Sequence, residues 1–122
     1  MKLKDRRTFK IISCAYSVHN ELGHGFPEKI YQEAMAYELK NQNIPFLKEA
    51  RLAIFYKNIR LEQCYYADFI CNENVIVELK ALNNLEKIHT HQVLNYLKAS
   101  NINLGLLINF GSESVQVKRV YL

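Results

Sequence analysis

Apolar residues recur at helical spacing between Asp5 and Leu22, where Ile11, Ile12, Ala15, Val18 and Leu22 share one face with His19 among them. That period predicts an amphipathic helix. The run Gly23-His24-Gly25-Phe26-Pro27 interrupts it, since two glycines permit a turn and Pro27 suits the first turn of a following helix. The second helix is expected from about Pro27 to Asn41, with Ile30, Tyr31, Ala34, Met35, Tyr37 and Glu38 spread around it.

From Phe46 the pattern becomes extended. LAIFY, a turn at Lys57-Asn58, YYADFIC, a turn near Glu73 and VIVELKA alternate as strands and turns do. A third helix is predicted over about Leu85 to Ala99, and NLGLLINFG and SVQVKRVYL read as two further strands. The order α-α-β-β-β-α-β-β describes an α/β sandwich around a mixed sheet.

Within that pattern Asp68, Glu78 and Lys80 are anomalous, because an ionised group is costly to bury unless it is paired or holds a metal. If Asn72, Glu73 and Asn74 form a three-residue turn, Cys71 pairs with Val75 and Asp68 lies opposite Glu78. Opposed residues of an antiparallel pair share a face, so the two carboxylates would repel unless a positive group lay between them. Alternation brings Lys80 to the same face. A turn one residue shorter or longer would part the carboxylates. Two explanations stand side by side: a divalent cation such as Mg²⁺, which takes oxygen ligands, water and substrate phosphate, or an ion pair of Lys80 with Glu78 or Asp68 at the solvent edge of the sheet.

Composition narrows the classes. The 122 residues, 49% hydrophobic and 23% charged, suit one globular domain over 1–122 and exclude a disordered or collagen-like chain. No apolar run approaches the roughly 20 residues that cross a bilayer, and the basic start MKLKDRRTFK lacks a signal-peptide core, so a cytoplasmic protein with no membrane partner is expected. A net charge of +4 permits a polyanionic partner without requiring one. Cys14, Cys64 and Cys71 lack zinc-site spacing and read as reduced, mostly buried thiols.

The spacing of Asp68 and Glu78-Leu79-Lys80 resembles the Asp…Glu-x-Lys core of the PD-(D/E)XK nuclease superfamily. Gln92 and Tyr96 in QVLNY are similar to the Gln-x-x-x-Tyr helix of its RecB-like and lambda-exonuclease-like members. Gly25, Glu28 and Tyr31 in GFPEKIY match the signature of its GxxExxY family. The likeness runs from about Ile11 to Val120 in the expected order, with His24 a departure outside the motif positions. It implies a restriction-endonuclease-like core, a mixed central sheet flanked by helices on both sides. It also implies a Mg²⁺ site, with Mn²⁺ an alternative, held by Glu28, Asp68 and Glu78 with the Leu79 carbonyl as a further candidate ligand. Lys80 would orient the attacking water and stabilise phosphate charge, and Gln92 and Tyr96, on one helix face, would line the site.

Other candidates have plainer explanations. His89 and His91 are two apart and face different ways on a helix, which makes them solvent- or substrate-facing, not a metal pair. His19, on an inner face, suits a hydrogen-bonded packing role. Lys2, Lys4, Arg6 and Arg7 form a terminal basic cluster of the kind usually solvated. The aromatic residues fit the core for the most part and not the spaced platforms of single-strand binders. The function expected is a metal-dependent nuclease cutting phosphodiester bonds of nucleic acid, DNA ahead of RNA, with a homodimer or larger complex as a way to enlarge a small binding surface. The alternative is a non-catalytic or accessory nuclease-fold module that binds nucleic acid or protein.

Overall fold

The computed structural model describes residues 6–122. Lys2 and Lys4 of the basic cluster, and Asp5 at the expected helix start, lie outside the described residues. The elements are α1 (Arg6–Leu22), α2 (Glu28–Asn41), β1 (Phe46–Tyr56), β2 (Ile59–Cys71), β3 (Val75–Lys80), α3 (Lys87–Ser100), β4 (Leu104–Asn109) and β5 (Gln116–Tyr121). Their order is the one the periodicity predicts. Two boundaries differ for local reasons. Pro27 is extended and caps α2 from outside instead of lying in its first turn. The third helix starts at Lys87, because Glu86 and His89 close a reciprocal capping box in which the Glu86 N–H donates to His89 Nδ1 at 2.9 Å.

The five strands form one sheet in chain order, antiparallel except for the parallel pair β3–β4 that α3 bridges. Strand β3 is thus central, which corrects the expected placement at a solvent edge of the sheet, while the pairing of Lys80 with Glu78 is present. One face buries Val75, Val77 and Leu79 of β3 with Ile11, Ala15 and Val18 of α1 and Tyr31 and Met35 of α2. The other buries Ile76 and Leu107 with Val93, Tyr96 and Leu97 of α3. No described helix is long and apolar enough to cross a membrane.

The hairpin β1–β2 departs from the sequence expectation in two ways. Its strands run 11 and 13 residues against 6 for β3, so more than half of the hairpin extends past the central ladder. This outer part exposes Phe55, Tyr56 and Tyr66, whereas the aromatics were expected mostly in the core; Phe9, Tyr16, Phe26, Tyr37 and Tyr121 are exposed as well. Cys14 and Cys71 are buried free thiols as expected, with burial pushing the Cys71 thiol up to about 12, while Cys64 is half-buried.

Candidate active site

The turn before α2 sets the first candidate in place. Gly25 has φ +112°, open to glycine and strained for other residues. The Tyr31 hydroxyl donates to the Gly23 carbonyl at 2.6 Å and accepts the Phe26 N–H at 3.3 Å. The Tyr31 ring stacks on Phe110 with centroids 4.7 Å apart. These contacts make Gly25 and Tyr31 of the GFPEKIY stretch structural: they fix where α2 begins, and Glu28 is its first residue.

The β2–β3 register is the one inferred from a three-residue turn: Cys71 pairs with Val75, Ile70 with Ile76 and Phe69 with Val77. Asn72 and Glu73 take the left-handed conformation in that turn. The next rung would join Asp68 and Glu78, and there side chains replace backbone pairing. The Asp68 N–H donates to Glu78 Oε1 at 3.2 Å, and the Leu79 N–H donates to Asp68 Oδ2 at 2.8 Å. Gln32, buried on α2, donates from Nε2 to Asp68 Oδ1 at 2.8 Å. The β1–β2 ladder skips a rung at the same place, between Lys48↔Phe69 and Ala50↔Ala67, where Glu49 has φ +51°.

The irregularity changes which way β2 faces. Phe69 and Cys71 pack with α1 and α2, yet Ala67, two residues from Phe69, packs on the α3 side. Simple alternation fails at Asp68, and its carboxylate lies in the fork where β2 leaves β3. The Lys80 carbonyl accepts the Phe110 N–H at 2.8 Å, so Lys80 turns its backbone toward β4. Its neighbour Leu79 turns toward the fork, as its bond to Asp68 requires.

Burial raises the Glu78 carboxyl well above the ordinary carboxylate range, and the Asp68 charge pushes it the same way. Lys80 Nζ stands 3.9 Å from Glu78 Oε2, too far for a strong hydrogen bond but close enough to favour the ionised acid. Solvent reaches Glu28, and protein around it still raises its carboxyl; Lys80 opposes that shift and Asp68 adds to it. Glu28 makes no hydrogen bond to either acid among the described residues. Burial keeps the Tyr96 phenol protonated, reinforced by the charges of Glu78 and Asp68. One helical turn earlier, Gln92 carries a buried Oε1 with no partner in the protein.

The sequence profile of the PD-(D/E)XK nuclease superfamily matches residues 5–120. The chain belongs to that superfamily. No curated protein sequence matches it. Among solved structures it is similar to the crystal structure of SSO0001 at 14% identity and a TM-score of 0.54, covering 98% of this chain and 69% of the other. That likeness concerns the fold. The five-stranded mixed sheet with helices on both faces agrees with the restriction-endonuclease-like architecture, and membership of a nuclease superfamily implies binding of nucleic acid.

PD-(D/E)XK nucleases generally use divalent metals. Among the described residues no group of three or more His, Cys, Asp or Glu side chains is placed to hold an ion. What the fork offers is an oxygen set: the Asp68 and Glu78 carboxylates, with the Leu79 backbone turned toward them. Each Asp68 oxygen spends one hydrogen bond and keeps a lone pair. Two carboxylates with waters and a phosphate suit Mg²⁺ or Mn²⁺ better than zinc. The residues therefore fit such an ion as a partial shell.

Two residues outside the sequence-based site help build it. Gln32 orients Asp68, and its signal was the i, i+4 spacing from Glu28 on one face of α2. Asn109, fully buried, pairs in register with Lys80 and fastens the following loop through Leu82. The histidines lie apart from the fork's hydrogen bonds. His19 Nε2 meets the Ser112 carbonyl at 3.0 Å in a packing role, His89 caps α3, and His91 is exposed.

Proposed function

We propose that this chain is a divalent-metal-dependent nuclease of the GxxExxY, RecB-like type, acting as one domain on phosphodiester bonds of DNA in the cytoplasm. The observation that carries the reading is the fork itself. Asp68 and Glu78 are bound together at a break in the central ladder, with Lys80 beside Glu78. An acid held this far from its ordinary state inside a sheet is costly for a scaffold and suits a site completed by a cation.

In this reading Asp68 and Glu78, with the Leu79 carbonyl and with Glu28 from the helix start, would hold Mg²⁺ or Mn²⁺. The ion would supply a water acidic enough to attack at neutral pH and positive charge against the scissile phosphate. Gln32 and the Leu79 N–H fix the Asp68 carboxylate by two hydrogen bonds, so its orientation is set before substrate arrives. Lys80 presents a fixed ammonium where negative charge develops on phosphate. Tyr96, held neutral, offers an O–H donor, and Gln92 offers an amide whose oxygen lacks a protein partner. A homodimer would widen the surface available to DNA.

The test is cleavage of linear, nicked and single-stranded DNA, and of RNA, with Mg²⁺ or Mn²⁺. Loss of cleavage in EDTA and in Lys80→Ala is expected. Cutting that persists in either would belong to a contaminant and sink the proposal.

A further inference from the structure

The outer hairpin is the feature the site does not use. The pairs Arg51↔Tyr66 and Ala53↔Cys64 share one face, because opposed residues of an antiparallel ladder project together, and the pair Phe55↔Arg60 continues the hairpin after a register shift in β2. Leu52 and Tyr65 alternate with those two pairs and pack on the α3 side, so Arg51 and Tyr66 point away from α3, whereas Phe55 lines a hollow with Tyr65 and with Asn95, Lys98 and Ala99 of α3. Among the described residues Arg51, Phe55, Arg60 and Tyr66 are all exposed. The rungs Arg51↔Tyr66 and Phe55↔Arg60 each set an arginine across from an aromatic ring, and neither arginine has an acidic partner within ion-pair distance among the described residues. Glu62 is the acid between Arg60 and Cys64 along β2, and Lys57 at the hairpin tip adds a further cation 5.4 Å from the Tyr56 ring. Tyr66 is two residues from Asp68, so the hairpin leaves the sheet at the fork. From Tyr66 to Arg60 it extends about 20 Å.

We infer that this hairpin is an arm that binds single-stranded nucleic acid leading to or from the fork. The inference rests on the nuclease reading for the class of partner and adds the strand form and the surface. Guanidinium groups match phosphate, and the paired rings offer flat faces to bases. In a duplex those base faces are stacked away, and a strand with unstacked bases exposes them. Exposed cations set across from rings along the hairpin therefore select a single strand.

The experiment is fluorescence anisotropy of the full chain with a labelled oligothymidylate strand and with a duplex of equal length, both in EDTA so that nothing is cut. Phe55→Ala and Arg60→Ala are the principal variants, being farthest from the fork; Tyr66→Ala and Arg51→Ala follow, and circular dichroism checks that all fold. The wild type is expected to prefer the strand. Loss of one ring should weaken it by about 5- to 100-fold. Loss of one arginine should lower the slope of log affinity against log salt by about 0.7. Equal strand affinity in folded Phe55→Ala and Arg60→Ala, a preference for duplex, or no strand binding with dimerisation that depends on Phe55 would each overturn the arm. Cleavage with Mg²⁺ is scored separately: an arm that fails beside an active nuclease leaves the function standing, and an arm that binds in an inactive chain leaves the arm standing.

Discussion

Glu78 and Asn109 are buried polar residues at neighbouring places on adjacent central strands, and they are satisfied in opposite ways. Asn109 Oδ1 accepts the N–H groups of Leu82 and Gly111 at 2.8 and 3.1 Å, and its Nδ2 donates to the Leu82 carbonyl and to Gln116 Oε1, both at 2.8 Å. Every donor and acceptor of that amide is used. The loop it holds lies so close that a Cβ on Gly111 would come 2.3 Å from the Leu82 backbone. Glu78 has one N–H at 3.2 Å and an ammonium at 3.9 Å. The saturated amide is what a fold needs; the half-answered acid is what a site needs.

The largest effect should come from Glu78→Gln. The amide keeps the shape and loses the charge, so cleavage should fall at least about 100-fold, the scale of losing a preorganised electrostatic group. Thermal stability of the metal-free protein should hold or rise, because a desolvated acid has been removed. Rates and melting curves on the same preparations check both halves. A fall in melting temperature as large as that of an Asn109 variant would show that Glu78 is structural.

Asn109→Leu should do the reverse. It strands the Leu82 and Gly111 N–H groups, at a cost of about 2–4 kcal/mol. Cleavage per folded molecule should stay within a few-fold of wild type. Denaturant titration measures the first, and cleavage below the melting range measures the second. A selective loss of cleavage with little loss of stability would move Asn109 into the site.

How much of this contrast the sequence displays depends on what a strand pattern encodes. The register is legible because Asn72-Glu73-Asn74 marks a turn and VIVELKA marks a buried strand, and the ladder follows from those two facts. The ends of the first two helices at Leu22 and Asn41 and, to within a residue, the start of α2 are legible from spacing, and the later start of α3 is set by a cap. The fork is not legible, because alternation assumes that the ladder continues through Asp68, and Gln32 becomes visible as Asp68's partner only when α2 is laid on the sheet. The central position of β3 escapes as well, since nothing in VIVELKA says that β4 will pair beside it in parallel. Exposure of the outer hairpin is hidden too: Phe55, Tyr56 and Tyr66 have core-like composition, and no packing partner is fixed until the strands outrun the sheet.

A pH experiment sharpens the comparison, because one of the two residues titrates. The Glu78 carboxyl is raised from 4.5 to about 8 in the fold. Between those values the native state holds a proton that the unfolded chain has released, so stability is full below pH 4.5 and is lost as pH rises through about 8. The slope for one proton is at most about 1.4 kcal/mol per pH unit. Melting temperature of the metal-free protein should therefore decline from pH 5 upward, and Glu78→Gln should remove that decline. Asn109→Leu should shift the whole curve down and keep its slope. Parallel curves for wild type and Glu78→Gln would mean that another group carries the pH dependence.

The smallest effect tests whether the fork is imposed from outside. Glu49, across the missing rung from Asp68, is held at φ +51° with its carboxylate 2.6 Å from Lys29, the residue after Glu28. Both side chains of that pair are exposed, so the bond itself contributes little stability. The backbone conformation is the relevant quantity. Glycine takes positive φ without strain, whereas a β-branched residue resists it. Glu49→Gly should keep the break in the ladder and leave cleavage within about two-fold, since the conformation is retained at no steric cost. Glu49→Val should favour regular pairing, draw Asp68 toward the ladder and weaken its bonds to Gln32 and Leu79, with a larger loss of cleavage than glycine causes. Amide exchange at Leu79 reads this directly: faster exchange in Glu49→Val than in Glu49→Gly is expected, and equal exchange would mean that the fork is held by Asp68 and Gln32 alone.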